Sequence, residues 1–285
     1  MSEYREHSVL CLSPAGLHRM TYTEWGDSAN PRVLVCVHGL ARVGRDFDDL
    51  ARALAGDYRV VCPDLVGRGN SDRLADPAHY LPPQYVSDMV TLIARLNVPS
   101  VHWLGTSLGG LVGMGLAAQP KTPISKLVLN DVGPIIKGAA LKRIGEYLGN
   151  APHFKSFDEA HAYIRAISAS FGLKTEAQWR RLTETSLRPE GGGFAMHYDP
   201  AIAVPYRNAN AGAADVDVWP LYDALRCPTL VIRGAESDLL DRDTLAQMAA
   251  RGPQAKTVEI AGVGHAPMLM DADQIAIVRD FLLQP

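Results

Sequence analysis

The chain has 285 residues, with 28 basic against 31 acidic side chains and a net charge of −3. That balance excludes the electrostatic footprint of a nucleic-acid or anionic-lipid binder. With 47% apolar and 21% charged residues, the composition also excludes a disordered, collagen-like or fibrous chain.

Two textures alternate along the chain. Short apolar, β-branched runs read as buried strands: Val33 to Val37, Tyr58 to Cys62, Val101 to Leu104, Lys126 to Leu129, Thr229 to Ile232 and Thr257 to Ile260. Amphipathic stretches fall between or after them: Phe47 to Leu54, Gln84 to Leu96, Leu108 to Ala118, Thr244 to Arg251 and Ala272 to Leu283. Alternating strand and helix predicts an α/β fold, with a doubly wound, mostly parallel sheet covered on both faces. Two runs near the start, about 7 to 12 and 18 to 25, predict an antiparallel hairpin feeding that sheet.

The rhythm breaks after about Gly133. Helical patterns follow at Leu141 to Leu148, Phe157 to Ser170 and Glu176 to Leu187, then a Gly191-Gly192-Gly193 turn and a loop from Phe194 to Asn210. The βα rhythm resumes at Cys227-Pro228-Thr229. The expected organisation is a core of 1–133 and 219–285 with a helical insertion at 134–218.

Cys11, Cys36, Cys62 and Cys227 lie far apart and form no CxxC pair, so they are expected as small buried hydrophobes rather than metal ligands or disulfides. The first residues carry no apolar signal segment, and no run approaches a membrane span. These features predict a reduced, cytoplasmic protein.

The string Gly105-Thr106-Ser107-Leu108-Gly109-Gly110 follows a strand-like run and opens a helical one. A sharp strand-to-helix turn leaves no room for side chains beside its central residue, so glycines at 105 and 109 fit a serine lifted above the sheet edge. The N–H of Leu108 then sits at a helix N-terminus that favours an anion. A serine hydroxyl needs a base, and the base an orienting acid. His265, in Gly262-Val263-Gly264-His265-Ala266-Pro267, follows the last strand and projects from the same sheet edge as Ser107. Asp238, just past the penultimate strand, is the expected acid, in the chain order nucleophile, acid, base. Glu236 and Asp241 compete with it, and Asp131, at the end of the strand after the serine helix, is a further alternative. Val37-His38-Gly39-Leu40 ends an earlier strand. Its turn aims the N–H of Leu40 at the same place, making a two-donor oxyanion hole with Leu108. His38 itself reads as holding the turn.

Together with Pro63-Asp64-Leu65-Val66-Gly67-Arg68-Gly69-Asn70-Ser71-Asp72, these motifs resemble the α/β-hydrolase superfamily over nearly the whole chain. The resemblance implies a serine hydrolase that cleaves carboxylic esters of small or medium acyl substrates through an acyl-enzyme, with no cofactor and no metal. It also implies that the insertion is a cap. Phe171, Trp179, Phe194, Met196, Tyr198, Tyr206, Met114 and Met268 are available to line a pocket beneath it. Relatives that open epoxides or remove halide carry aspartate in place of Ser107. Carbon–carbon bond hydrolases of the fold usually carry tryptophan where this chain has Ala266. Three alternatives stay open: carbon–carbon hydrolysis, acyl transfer, and a non-catalytic ligand receptor. A small-molecule ester is the expected partner, with no nucleic acid or membrane. The cap surface or last strand offers a place for a homodimer.

Overall fold

The computed structural model describes residues 3–139, 142, 148–205 and 214–284. The chain opens with β1 (Tyr4–Ser13) and β2 (Gly16–Trp25), an antiparallel hairpin in register from Tyr4↔Trp25 to Ser13↔Gly16. Then follow β3 (Val33–Val37), α1 (Asp48–Leu54), β4 (Arg59–Pro63), α2 (Pro82–Leu96), β5 (Val101–Thr106), α3 (Leu108–Ala117) and β6 (Ile124–Asn130). Each expected strand and helix of this half is present, with its ends moved by up to three residues. The sheet order is β1-β2-β4-β3-β5-β6-β12-β13, where β12 is Thr229–Gly234 and β13 is Lys256–Ile260. The six strands from β4 to β13 run parallel, and only the hairpin is antiparallel to its neighbours.

Successive side chains of a strand point to opposite faces. Val33, Val35 and Val37 of β3 therefore enter one core, with Trp103, Leu127, Leu129 and residues of α2 and α3. Leu34 and Cys36 enter the other, with Leu104, Val128, Ile232 and residues of α1 and the C-terminal helix Ala272–Leu283. Both faces are covered, which is why these strands are apolar throughout rather than alternating. Helix α2 starts with proline in its first turn, where no intrahelical donor is lost, and ends at Asn97 in the left-handed conformation. Its buried Tyr85, Met89, Leu92 and Leu96 follow helical spacing.

Between β6 and β12 lie α4 (Phe157–Ile167) and α5 (Glu176–Ser186), near the expected positions. Thr175 and Gln178 close a capping box at the start of α5, which satisfies two N-terminal donors. The helix expected at Leu141 to Leu148 lies, Lys142 and Leu148 apart, outside the described residues. The insertion, read from its pattern as helical, also carries short strands. β7 (Ile135–Ile136) pairs with β11 (Val216–Asp217) at its two ends. β8 (His153–Phe154), β10 (Gly193–Met196) and β9 (Leu187–Glu190) form a second small sheet. Gly191 and Gly192, at φ +55° and +80°, make the two-residue turn that joins β9 to β10. Positive φ at both central residues is what such a hairpin demands, so the triple glycine marked a hairpin rather than a bare loop. The chain then passes through α6 (Trp219–Asp223) and α7 (Arg242–Ala250) and ends with α8 (Ala272–Leu283). Among the described residues, no helix is long and apolar enough to cross a membrane.

Candidate active site

Four neighbouring strands end at one edge of the sheet, in the order β5, β6, β12, β13. Each delivers one polar group to the site from the loop that follows it: Ser107, Asp131, Ser237 and His265.

Ser107 sits between β5 and α3 at φ 52° and ψ −115°, a conformation that costs a non-glycine residue strain. Its N–H donates to Asn130 O at 3.0 Å, and its carbonyl accepts from Gly110 N at 2.9 Å. The flanking glycines answer a steric need. A Cβ on Gly105 would lie 2.2 Å from Gly109 C, and one on Gly109 would lie 2.0 Å from Val37 O. Those neighbours are backbone and cannot give way. Gly109→Ala is accordingly expected to lose about 3 kcal/mol or more of stability, or to fail to fold, as chemical denaturation checks.

His265 Nε2 lies 3.0 Å from Ser107 Oγ, and His265 Nδ1 lies 2.7 Å from Asp131 Oδ2. Nδ1 donates to the carboxylate, which leaves Nε2 without a proton and able to accept from the serine. Asp131 is fully buried. It receives two further donors, Gly234 N–H at 2.8 Å on Oδ1 and the Ser237 hydroxyl at 2.7 Å on Oδ2. A buried carboxylate needs such partners to offset its lost hydration.

The structure does not bring the expected acid, Asp238, to the imidazole. Its side chain is exposed on the loop after β12, and the carboxylate on the imidazole is that of Asp131. The reason is the sheet order. β6 and β12 are neighbours and end together, so chain order alone does not separate their carboxylates. Asp131 takes φ +55°, its N–H is fixed to Ile232 O at 2.7 Å, and its side chain meets the His265 loop. Glu236 is likewise exposed, and Asp241 caps α7 through Thr244 N.

His38 is fully buried and holds its loop, as expected. Nδ1 donates to Gly39 O at 2.7 Å, and Nε2 accepts from Leu65 N at 3.0 Å. A hydrogen bond from Arg42 N to Gly39 O closes the turn and spends neither of the N–H groups of its central residues, Leu40 and Ala41. Arg68, also fully buried, donates from Nε to Leu40 O at 2.9 Å and packs over Tyr85. Gly39 abuts the serine, since a Cβ there would lie 3.7 Å from Ser107 Cβ. Leu108 is the first residue of α3, so its N–H has no partner within the helix. Burial pushes the His38 imidazole down to about 3. The unfolded chain then binds a proton that the folded one refuses. This share of stability is complete above pH 6.5 and is lost as the pH falls from there toward 3, at roughly 1.4 kcal/mol per pH unit. Denaturant melts between pH 7 and 4.5 check it, with His38→Asn expected to remove that part of the slope.

A cavity of about 90 Å³ opens over Ser107 and His265. Its apolar walls include Ile167, Phe171, Met196, Tyr198 and Met268. Sequence reading named the last four of these. Trp179, Phe194 and Met114 pack in the core instead, and Tyr206 lies outside the described residues. Ile167, Ser168 and the Arg42–Asp46 ion pair also line it and went unnoticed, because nothing local marks them. Ser170, from the segment above the sheet, accepts Gly264 N at its carbonyl, 2.7 Å away, just before the histidine. A larger polar cleft of about 560 Å³ lies between the hairpin and α5, lined by Arg19, Arg45, Asp64 and Arg181. Its walls include neither Ser107 nor His265, so its size does not make it the site of this chemistry.

The four cysteines are free. Among the described residues, one cluster has metal-ligand types: Cys11, His18 and Asp88, all buried beneath the hairpin. His18 Nε2 bonds Asp88 Oδ2 directly at 2.9 Å, and burial pushes the Cys11 thiol up to about 12. A protonated thiol beside a direct His–Asp bond fits a packing role better than ligation.

The chain is similar to known proteins in both sequence and fold. The sequence model of the Alpha/beta hydrolase family matches residues 34–277. The chain is 57% identical over 280 residues to the 3-hydroxybutyrate-oligomer hydrolase of Cupriavidus necator, covering 96% of each protein. It is 27% identical over 246 residues to esterase YbfF of Escherichia coli, covering 83% of this chain and 87% of that protein. The crystal structure of an alpha/beta hydrolase from Novosphingobium aromaticivorans superposes with a TM-score of 0.88 at 40% identity, over 99% of both chains. A strand-turn-helix serine, a histidine after the last strand and a match across most of the chain lead to one conclusion: the protein belongs to the alpha/beta hydrolase family and is a hydrolase.

Proposed function

We propose that this hydrolase cleaves carboxylic esters through Ser107, His265 and Asp131, and that its substrates are short linear esters of hydroxy acids such as 3-hydroxybutyrate oligomers. The observation that carries the reading is the imidazole of His265, 3.0 Å from the serine oxygen and 2.7 Å from a buried carboxylate. His265 takes the Ser107 proton as Oγ attacks the ester carbonyl. The N–H groups of Leu40 and Leu108 hold the oxyanion, and the imidazolium, stabilised by Asp131, gives its proton to the leaving alcohol. Water, activated by the same imidazole, then releases the acid from the acyl-enzyme.

Residues 134–218 serve as a cap over this edge, contributing Ile167, Phe171, Met196 and Tyr198 to the cavity. The cavity is well below the roughly 300 Å³ at which ligand pockets usually begin, which suits one short acyl unit better than a long fatty chain. The substrate class is supported by the 57% identity to an enzyme of that name over nearly the full length. The test is incubation with linear 3-hydroxybutyrate trimer and with p-nitrophenyl esters from acetate to decanoate. The expected result is release of shorter 3-hydroxybutyrate species and a preference for short acyl groups. Turnover of the p-nitrophenyl esters without the trimer would remove the substrate assignment and leave the esterase. Turnover of neither would remove both.

A further inference from the structure

The loop after β12 lost its expected acid, yet it still reaches the site. Ser237, next to Asp238, is 9% exposed, and its hydroxyl lies 2.7 Å from Asp131 Oδ2, the oxygen that also receives His265 Nδ1. A hydroxyl has one proton and two lone pairs. Leu239 N and Leu240 N, each 3.2 Å away, both donate to Ser237 Oγ. With both lone pairs taken by N–H groups, the single proton points to Asp131.

The loop that presents this hydroxyl is itself held. The Arg233 side chain donates to Leu240 O at 2.6 Å, Ala235 O at 3.1 Å and Ser237 O at 3.3 Å. Glu236 N donates to Val263 O at 2.9 Å, which ties the loop to the segment carrying His265. On the other carboxylate oxygen, Gly234 N–H sits at 2.8 Å. The two donors grip opposite oxygens and stop the carboxylate from turning about its Cβ–Cγ bond.

We propose that Ser237 is a positioning residue of the site: its locked hydroxyl fixes the rotation of the Asp131 carboxylate and so holds His265 in line with Ser107. This rests on the Ser107–His265–Asp131 reading, and Ser237 itself touches neither the substrate nor the reacting atoms. Acyl-enzyme formation and breakdown both use His265, so loosening it slows the two steps together. The mark of the role is then a fall in kcat with little change in KM.

The experiment compares wild type, Ser237→Ala, Ser237→Cys and Ser237→Thr on p-nitrophenyl butyrate, with thermal melting alongside. Ser237→Ala is expected to lower kcat about 10- to 100-fold, the size of a lost hydrogen bond to a charged group, with KM within about twofold. Ser237→Cys keeps the volume but donates weakly, and covers the case in which the alanine variant does not fold. It is expected to lose about tenfold with an unchanged melting temperature. Ser237→Thr restores the hydroxyl and should return kcat to within about threefold. The downfield proton resonance of the His265 Nδ1–H···Asp131 bond should move in the alanine and cysteine variants and return in the threonine one. Folded alanine or cysteine variants with wild-type kcat overturn the proposal, as does a folded threonine variant that shows no rescue. A Ser107→Ala variant run beside them separates the two failures. If it keeps full activity, the reading beneath fails. If it is inactive while Ser237→Ala or Ser237→Cys is normal, only the role of Ser237 falls.

Discussion

Ser107→Ala is expected to lower kcat for p-nitrophenyl butyrate by about five to six orders of magnitude, with the melting temperature unchanged. In the proposed mechanism the hydroxyl is the atom that bonds to the acyl carbon, and no other group lies at that place to replace it. The backbone at 107 is already held, by the N–H bond to Asn130 O and the carbonyl bonds from Gly110 and Leu111, and none of these involves Oγ. Removing the oxygen also relieves no strain, because the φ of 52° belongs to the turn and not to the side chain. Alanine therefore deletes chemistry and little else. What remains is the activity of the oxyanion donors and bound water, roughly 10³- to 10⁴-fold over the uncatalysed reaction. Initial rates, together with loss of labelling by a fluorophosphonate probe, check it. A variant within tenfold of wild type would mean that the hydrolysis belongs to another group.

Asp131→Asn is expected to cost about 10⁴-fold in kcat, while Asp238→Asn stays within about twofold of wild type. The carboxylate at 131 faces three donors: Gly234 N–H, the Ser237 hydroxyl and His265 Nδ1. An asparagine oxygen can satisfy Gly234 N–H, whose direction is fixed by the backbone. Its NH₂ then points at His265 and forces Nδ1 to accept. The proton moves to Nε2, which can no longer take one from Ser107. The same NH₂ faces the Ser237 hydroxyl, which loses its acceptor, so the wrong tautomer and the loosened side chain both fall on kcat. Asp238 is exposed on its loop and takes no part in the bond to the imidazole. Parallel kinetics of the two variants decide between the two carboxylates. A large loss at 238 with little at 131 would return the acid to the loop after β12.

The exchange of Asp238 for Asp131 shows what local pattern can and cannot carry. The serine turn was legible because its glycines answer a clash within a few residues of chain, and because strand and helix flank it. His265 was legible from its glycine-rich loop after the last strand. The acid required knowing which loop ends nearest the imidazole, and that depends on how β6, β12 and β13 line up. Asp131 and Asp238 each follow an apolar strand, so composition and spacing treat them alike.

The same division runs through the whole molecule. The two-faced apolar strands, the amphipathic helices and the nearly neutral charge are properties of the chain itself. They determined an α/β sheet buried on both faces, because continuous Val, Ile and Leu runs have no other stable place. The hairpin from Leu187 to Met196 escaped notice since its strands are short and hold a proline and an arginine, and only the paired positive-φ glycines betray it. The grip of Arg68 on Leu40 and the hydroxyl of Ser237 on Asp131 join residues 28 and 106 positions apart, and the walls of the cavity run from His38 to Met268. Distances of that kind are set when the sheet closes and the strand ends meet. Tertiary structure alone therefore decided which carboxylate lies on the histidine and which groups contact that carboxylate.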